Sequence, residues 1–346
     1  MAASMRRVCQ TCFQRRLYRT LFKTSPSVVV PVKSYKRWVP SVDNILYNQR
    51  LAAGPEKERH RSEWINWNYD AEIYAFGKRL GEEFEESTLR RSLTHRSYIE
   101  KEEQRRQELG IDLDAAPLGL TDNQELAAIG SESMSLYIKA YLRHVYPRLF
   151  EEGISAIHDH LMSTEVLSKI ASHIGLTDII LCQEFPVGAE TLTETLQAVI
   201  GALQQDQGRD KAHLFVRDFV LPQLIETDIA ELWTISNPMG LLEDMLLREG
   251  RPTPEPRLQW SSASQTVMSL YYVGIYSDGR LLGQSPGETL AIAEEMAARD
   301  ALKNQMGLAD SRSPLPLGSL ADSLQIDFDR MNPSLADFTT LEASTV

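Results

Sequence analysis

Cysteine, histidine and paired carboxylates are the side chains in this chain that could do chemistry, and their spacing narrows what that chemistry could be. Cys9 and Cys12 have the CxxC spacing of half a zinc site, but no second Cys or His pair completes four ligands. Cys182 stands alone and reads as a buried structural thiol. His158 and His160 lack a surrounding HExxH, so neither is expected to hold a metal. Glu125 and Glu132, at i and i+7, fall on one helical face and could form half of a site for a hard divalent ion. Cutting a phosphodiester with metal-activated water needs several carboxylates converging on one point, and these two alone do not provide that.

The elements that would position such groups are mainly helical. The chain has 346 residues, 42% apolar and 24% charged, enough for two domains with real cores. No stretch approaches the roughly 18 apolar residues of a membrane span. Charge is uneven. Residues 1–42 hold nine basic residues and no acid, the composition of a mitochondrial presequence, with a basic RNA-contacting arm as the alternative. Without them, 27 basic residues face 48 acidic ones, a body near −21 that argues against a simple basic-patch mode of nucleic-acid binding.

Residues 43–69 read as an irregular lead-in, with order beginning near Trp64, Trp67 and Tyr69 as aromatic anchors. From 71–80 to about 226 apolar residues recur at helical spacing, giving helices over 133–144, 154–161, 166–174, 191–204 and 211–224. Residues 99–116 open with a dense run of Glu, Lys and Arg, a solvated helix face or an exposed connector rather than core, and read as a charged insertion. After Asn237 and Pro238 a helix over 239–248 precedes three strands. Asp278-Gly279 marks a tight hairpin turn between the last two, and an alanine-rich helix follows over 289–305. Residues 310–346 lack any period and are expected to be disordered unless a partner holds them.

Three stretches in order resemble the ribonuclease III family. Ser92-Leu93-Thr94-His95-Arg96-Ser97-Tyr98 is close to its LTHRSY opening. Asn123-Gln124-Glu125-Leu126-Ala127-Ala128-Ile129-Gly130-Ser131 is a degraded copy of its NERLEFLGD signature helix, and Leu196-Gln197-Ala198-Val199-Ile200-Gly201-Ala202 is similar to its VEALIGA helix. The module after Asn237 looks like a double-stranded-RNA-binding domain. The resemblance implies an α+β chain: an all-helical ribonuclease III-like domain over 70–228, then an α-β-β-β-α double-stranded-RNA-binding-like domain over 237–306. It also implies that the motif around His95 is structural, while Gly130 and Gly201 read as points of close helix approach.

In that family three acidic positions at i, i+3 and i+7 on the signature helix, and two at i and i+3 on the facing helix, hold the metal. Here they are Gln124, Ala127 and Ser131, then Glu194 and Gln197, so one carboxylate survives from five. Glu125 and Glu132 sit one residue away, about 100° around the axis, and cannot replace their neighbours. No metal, no cofactor, no catalytic residue and no metal-dependent cleavage are therefore expected. The family's dimer contact is an aromatic at the position of Ala128, which speaks against an enzyme-type homodimer.

The second module has drifted too. Leu290 and Ala291 replace its phosphate-binding lysine pair, and six basic residues face nine acidic ones over 237–306. Unaided duplex binding is not expected. The cations that remain as RNA-binding candidates are Arg251, Arg257, Arg280, Arg299 and Lys303. More narrowly, Trp67, Tyr69, residues 71–76, Leu109-Gly110-Ile111, Glu184-Phe185-Pro186, residues 237–242 and 286–289 resemble ribonuclease III-like components of the mitochondrial large ribosomal subunit. That resemblance implies a structural role in the matrix, with large-subunit ribosomal RNA and neighbouring mitochondrial ribosomal proteins as partners. A free RNA-binding assembly factor and an active processing nuclease are the alternatives.

Overall fold

The structure, a computed structural model, describes residues 41–54, 61, 64, 67–111, 118–263, 266–308, 315–318, 321 and 324–336. The expected presequence therefore lies outside the described residues but for its last two. The chain divides into two units, Met1–Arg59 and His60–Val346. In the first, the lead-in expected to be irregular contains a helix, α1 (Ser41–Ala53), with Asp43 in its first turn and Arg50 in its last, the charge order that suits a helix dipole.

In the second unit, eight helices and two short 3-10 turns among the described residues build the first domain. They are α2 (Tyr69–Leu80), α3 (Glu86–Ser92), α4 (Arg96–Glu108), α5 (Gln124–Val145), α6 (Glu151–Leu161), α7 (Thr164–Ile174), α8 (Ala189–Gln207) and α9 (Arg209–Phe219). Side-chain caps set several starts: the Asn68 and Ser163 oxygens accept the amides of Ala71 and Val166. Gly81 and Gly175, at φ 75° and 89°, end α2 and α7 in the left-handed conformation that glycine adopts without strain. α5 stops just short of Pro147, which could not continue it. Phe76, Leu93, Met134, Ile138, Tyr141 and Phe150 are fully buried in the core these helices share.

The second domain follows a short helix, α10 (Ile229–Leu232). Its elements are α11 (Pro238–Arg248), β1 (Glu255–Ser262), β2 (Leu270–Ser277), β3 (Arg280–Gly287) and α12 (Leu290–Gln305), with the strands antiparallel in the order β1-β2-β3. Asp278 and Gly279 both have positive φ, as the tight hairpin turn requires. Val273 and Ile275 bury against the helices, and the alanine stripe Ala293, Ala297, Ala301 lets α12 lie almost on the strands. A Cβ at Gly283 would fall 2.3 Å from the Ala301 nitrogen. The two domains meet at a cleft of 520 Å³ lined by Leu149, Gly153, Trp233, Ile235, Met296 and Lys303, with Lys303 Nζ 3.6 Å from Asp228.

Two expectations change here, and one reading of the charged run is settled in favour of a helix. Trp64 is 67% exposed rather than a buried anchor, whereas Trp67 and Tyr69 are half-buried. The charged run after Ile99 lies on α4, which buries no residue, as a solvated helix face would, and residues 112–116 of the expected insertion are outside the described residues. The described part of the tail, 315–318, 321 and 324–336, is held by the chain's own helical domain. Asn332 donates to the carbonyls of Tyr146 and Leu149 at 2.8 Å each, and Tyr141 donates its hydroxyl to the Pro316 carbonyl at 2.9 Å. Leu315, Leu317, Leu324, Ile326 and Leu335 pack on the core. These apolar residues sit on an irregular strap with no helical or strand spacing, which is why no period announces them.

Candidate functional site

The site begins where α5 and α8 cross. A Cβ at Gly130 would stand 1.9 Å from the Gln197 carbonyl oxygen, and one at Gly201 would stand 2.0 Å from that of Leu126. The helices therefore touch backbone to backbone, as the two glycines led us to expect, and the five positions that the family resemblance marks as metal-facing lie on these two helices. Gln124 is exposed, Ser131 and Gln197 are half-buried, and Ala127 is buried among Leu126, Ala198 and Ala202. The position has become part of a small apolar cluster.

Glu194, the remaining carboxylate, is engaged by protein. Leu93 to His95 is stitched to Leu181 by backbone hydrogen bonds, and this bridge presents the imidazole to α8. The Ser97 amide donates to His95 Nδ1, so the ring proton sits on Nε2, which donates to Glu194 Oε2 at 3.1 Å. His95 thus caps α4 and binds α8 at once, the structural part expected of it. Glu125 pairs with Arg91, whose Nε also reaches the Asp122 carbonyl, and Glu132 is exposed. Among the described residues no group of three or more His, Cys, Asp or Glu side chains is arranged to hold a metal. Amides, a hydroxyl and a methyl can fill the crossing, but they cannot balance a divalent charge.

Other titratable groups fit packing roles. Cys182 is half-buried, burial pushes its thiol up, and a raised thiol is a poor nucleophile. Burial lowers His213, which stacks on Tyr137 with centroids 4.8 Å apart. His158 hydrogen-bonds Ser135 and Asp159. Ala128, at the dimer position, is exposed.

The five candidate RNA-binding cations do not form one cluster, although Arg299 and Lys303 share a helix and a cleft. Arg251 lies after α11 beside Glu249 at 3.4 Å, and Arg257 on β1 pairs with Glu255 at 2.7 Å. Arg280 is exposed at the β2–β3 hairpin. Arg299 pairs with Glu295, and with Lys303 it lines the cleft between the domains. Leu290 and Ala291 are exposed where a lysine pair would meet phosphate, and the nearby Val267 and Met268 are exposed too. Sequence reasoning missed the strap and the aromatic outer face of the sheet. For the strap the only signal was Leu and Ile recurring in a Pro-rich segment. For the sheet it was the Trp and Tyr content of β1 and β2.

No described helix is long and apolar enough to cross a membrane. Residues 68–203 match the family described as large ribosomal subunit protein mL44, endonuclease domain, and residues 233–339 match the MRPL44 dsRNA-binding domain. The second match extends through the strap. Large ribosomal subunit protein mL44 of Caenorhabditis elegans is 32% identical over 292 residues, 83% of this chain and 73% of that protein. Ribonuclease 3 of Symbiobacterium thermophilum is 30% identical over 64% of this chain and 90% of its own length. A solved nuclease domain of ribonuclease III from Campylobacter jejuni, 23% identical, covers 44% of this chain and 96% of that one, with a TM-score of 0.35.

Proposed function

The chain belongs to the family of the large ribosomal subunit protein mL44, and from that membership we propose that it is a non-catalytic building block of the mitochondrial large ribosomal subunit. In this reading it contacts ribosomal RNA and neighbouring ribosomal proteins in the matrix, and it supports subunit assembly and mitochondrial translation. One observation carries the non-catalytic part: four of the five metal-facing positions are neutral, and the fifth, Glu194, accepts a hydrogen bond from His95. Magnesium takes oxygen ligands and needs their charge, so a lone, engaged carboxylate does not hold the ions that activate water and neutralise the leaving oxygen.

The basic, acid-free run over 1–42 supports delivery to the mitochondrion. The dispersed cations and acidic body favour attachment in which protein neighbours share the load with a few placed arginines. Sedimentation of mitochondrial lysate tests the reading. The chain is expected to travel with the large subunit at all times. A substantial free pool, or association with precursor particles alone, contradicts it and points to an assembly factor.

A further inference from the structure

Among the five candidate cations, Arg257 stands beside aromatic rings on the side of the sheet that faces away from α11 and α12. Side chains alternate across a strand. Val273 and Ile275 point into the core, so Tyr272, Gly274 and Tyr276 point outward. The register sets Trp260 opposite Tyr272, and it sets Arg257 and Gln284 on either side of Gly274. Trp260 and Tyr272 stack with centroids 5.6 Å apart and planes 11° apart, and Trp260 remains 48% exposed. The Arg257 guanidinium lies 5.3 Å from the centre of the Tyr276 ring. Gln259 Nε2 lies across Gly274, where a Cβ would come within 2.4 Å of it, and bonds Tyr276 Oη at 3.2 Å and Gln284 Oε1 at 3.4 Å.

We infer that this outer sheet face is a stacking platform for unpaired RNA bases, a site that rests on the reading of the chain as an RNA-bound ribosomal component. Three aromatic rings, a guanidinium and two carboxamides on one face are the set with which proteins hold single strands. The rings and guanidinium take the base face, and the amides offer donors and acceptors to its edge. A duplex does not fit the same chemistry, because its bases are stacked inside. The charge of Arg257 is balanced by Glu255, leaving little to grip paired phosphate backbones. The face lies on the opposite side of the sheet from α11 and α12, so base stacking here is independent of the lost lysine pair.

Binding of the purified full chain to a labelled, unstructured oligoadenylate of about ten nucleotides tests the platform. Trp260→Ala is expected to weaken binding about ten-fold, Trp260→Phe to keep most of it, and a matched duplex to compete poorly. Photo-crosslinking of thiouridine-containing single strands to the unaltered chain, expected to give adducts at Trp260 or Tyr272, keeps the test independent of any folding defect. Equal binding by Trp260→Ala, absence of binding by the unaltered chain, equal competition by duplex, or crosslinks from this face only to protein in purified large subunits overturns the proposal. Co-sedimentation of the chain with the large subunit is read separately, so loss of the platform and loss of the ribosomal reading are told apart.

Discussion

His95 and Glu194, ninety-nine positions apart in the chain, are joined by a 3.1 Å hydrogen bond that ties the start of α4 to α8 at the crossing where metal-binding carboxylates would converge. The side chain that could have been the last metal ligand thereby serves as a fastener. His95→Ala removes both this bond and the cap of α4, and it should destabilise the chain by about 1 to 2 kcal/mol. Urea denaturation of the purified chain reads this. A variant as stable as the parent would show that the bond contributes nothing.

Gly130→Ala and Gly201→Ala each place a methyl against backbone rather than against a side chain that could turn away. Each should cost about 3 kcal/mol or more, the upper part of the overpacking range, and Ser131→Ala on the same helix should cost far less. Thermal melts of the three variants compare them directly. Equal melting points would mean that the helices can separate at the crossing without loss.

Asn332 satisfies two carbonyls at once, those of Tyr146 and Leu149, and is itself buried. Asn332→Ala leaves both acceptors without this donor and should cost about 2 to 3 kcal/mol. It should also open the strap to protease before the rest of the domain unfolds. Limited proteolysis with mass mapping checks this, the expected early cuts falling near the strap.

The strap should also loosen in acid. Burial pushes the Glu152 carboxyl up, but hydrogen bonds from Ser334 and the Leu335 amide outweigh it and hold the group below the usual carboxylate value. A depressed folded pKa gives a contribution that is fully present above the unfolded pKa and lost as pH falls through the folded one, so the loss should appear below about pH 4. Protease sensitivity of the strap should rise there, and Glu152→Gln should flatten that part of the profile. An unchanged acid profile in the variant would count against the linkage.

How much of this could be read from the sequence depended on periodicity. The helices around Tyr141 and Leu196 follow the 3.6-residue repeat, and the hairpin is marked by Asp278-Gly279, so element order was legible; most boundaries moved by a few residues, but the helix read as beginning at Ser133 begins at Gln124, and the one read over 211–224 gives way to a 3-10 turn after Phe219. The crossing was legible too, since two glycines at motif spacing specify close backbone approach. The strap was not, because Asn332 and Leu335 bind from irregular backbone that carries no repeat. The base-stacking face was hidden for a related reason. The bulge between Leu258 and Trp260 breaks the alternation of β1, so the inward and outward sides cannot be assigned until the pairing with Tyr272 is known.

The most direct measurement of the central claim is a cleavage assay of the purified chain on duplex RNA with excess magnesium, run beside Glu194→Gln. The account expects no magnesium-dependent products from either protein, and no shift in the melting temperature of the unaltered chain on adding magnesium. Cleavage by the unaltered chain that Glu194→Gln abolishes would contradict it, since the remaining carboxylate would then be working as a ligand rather than as the partner of His95.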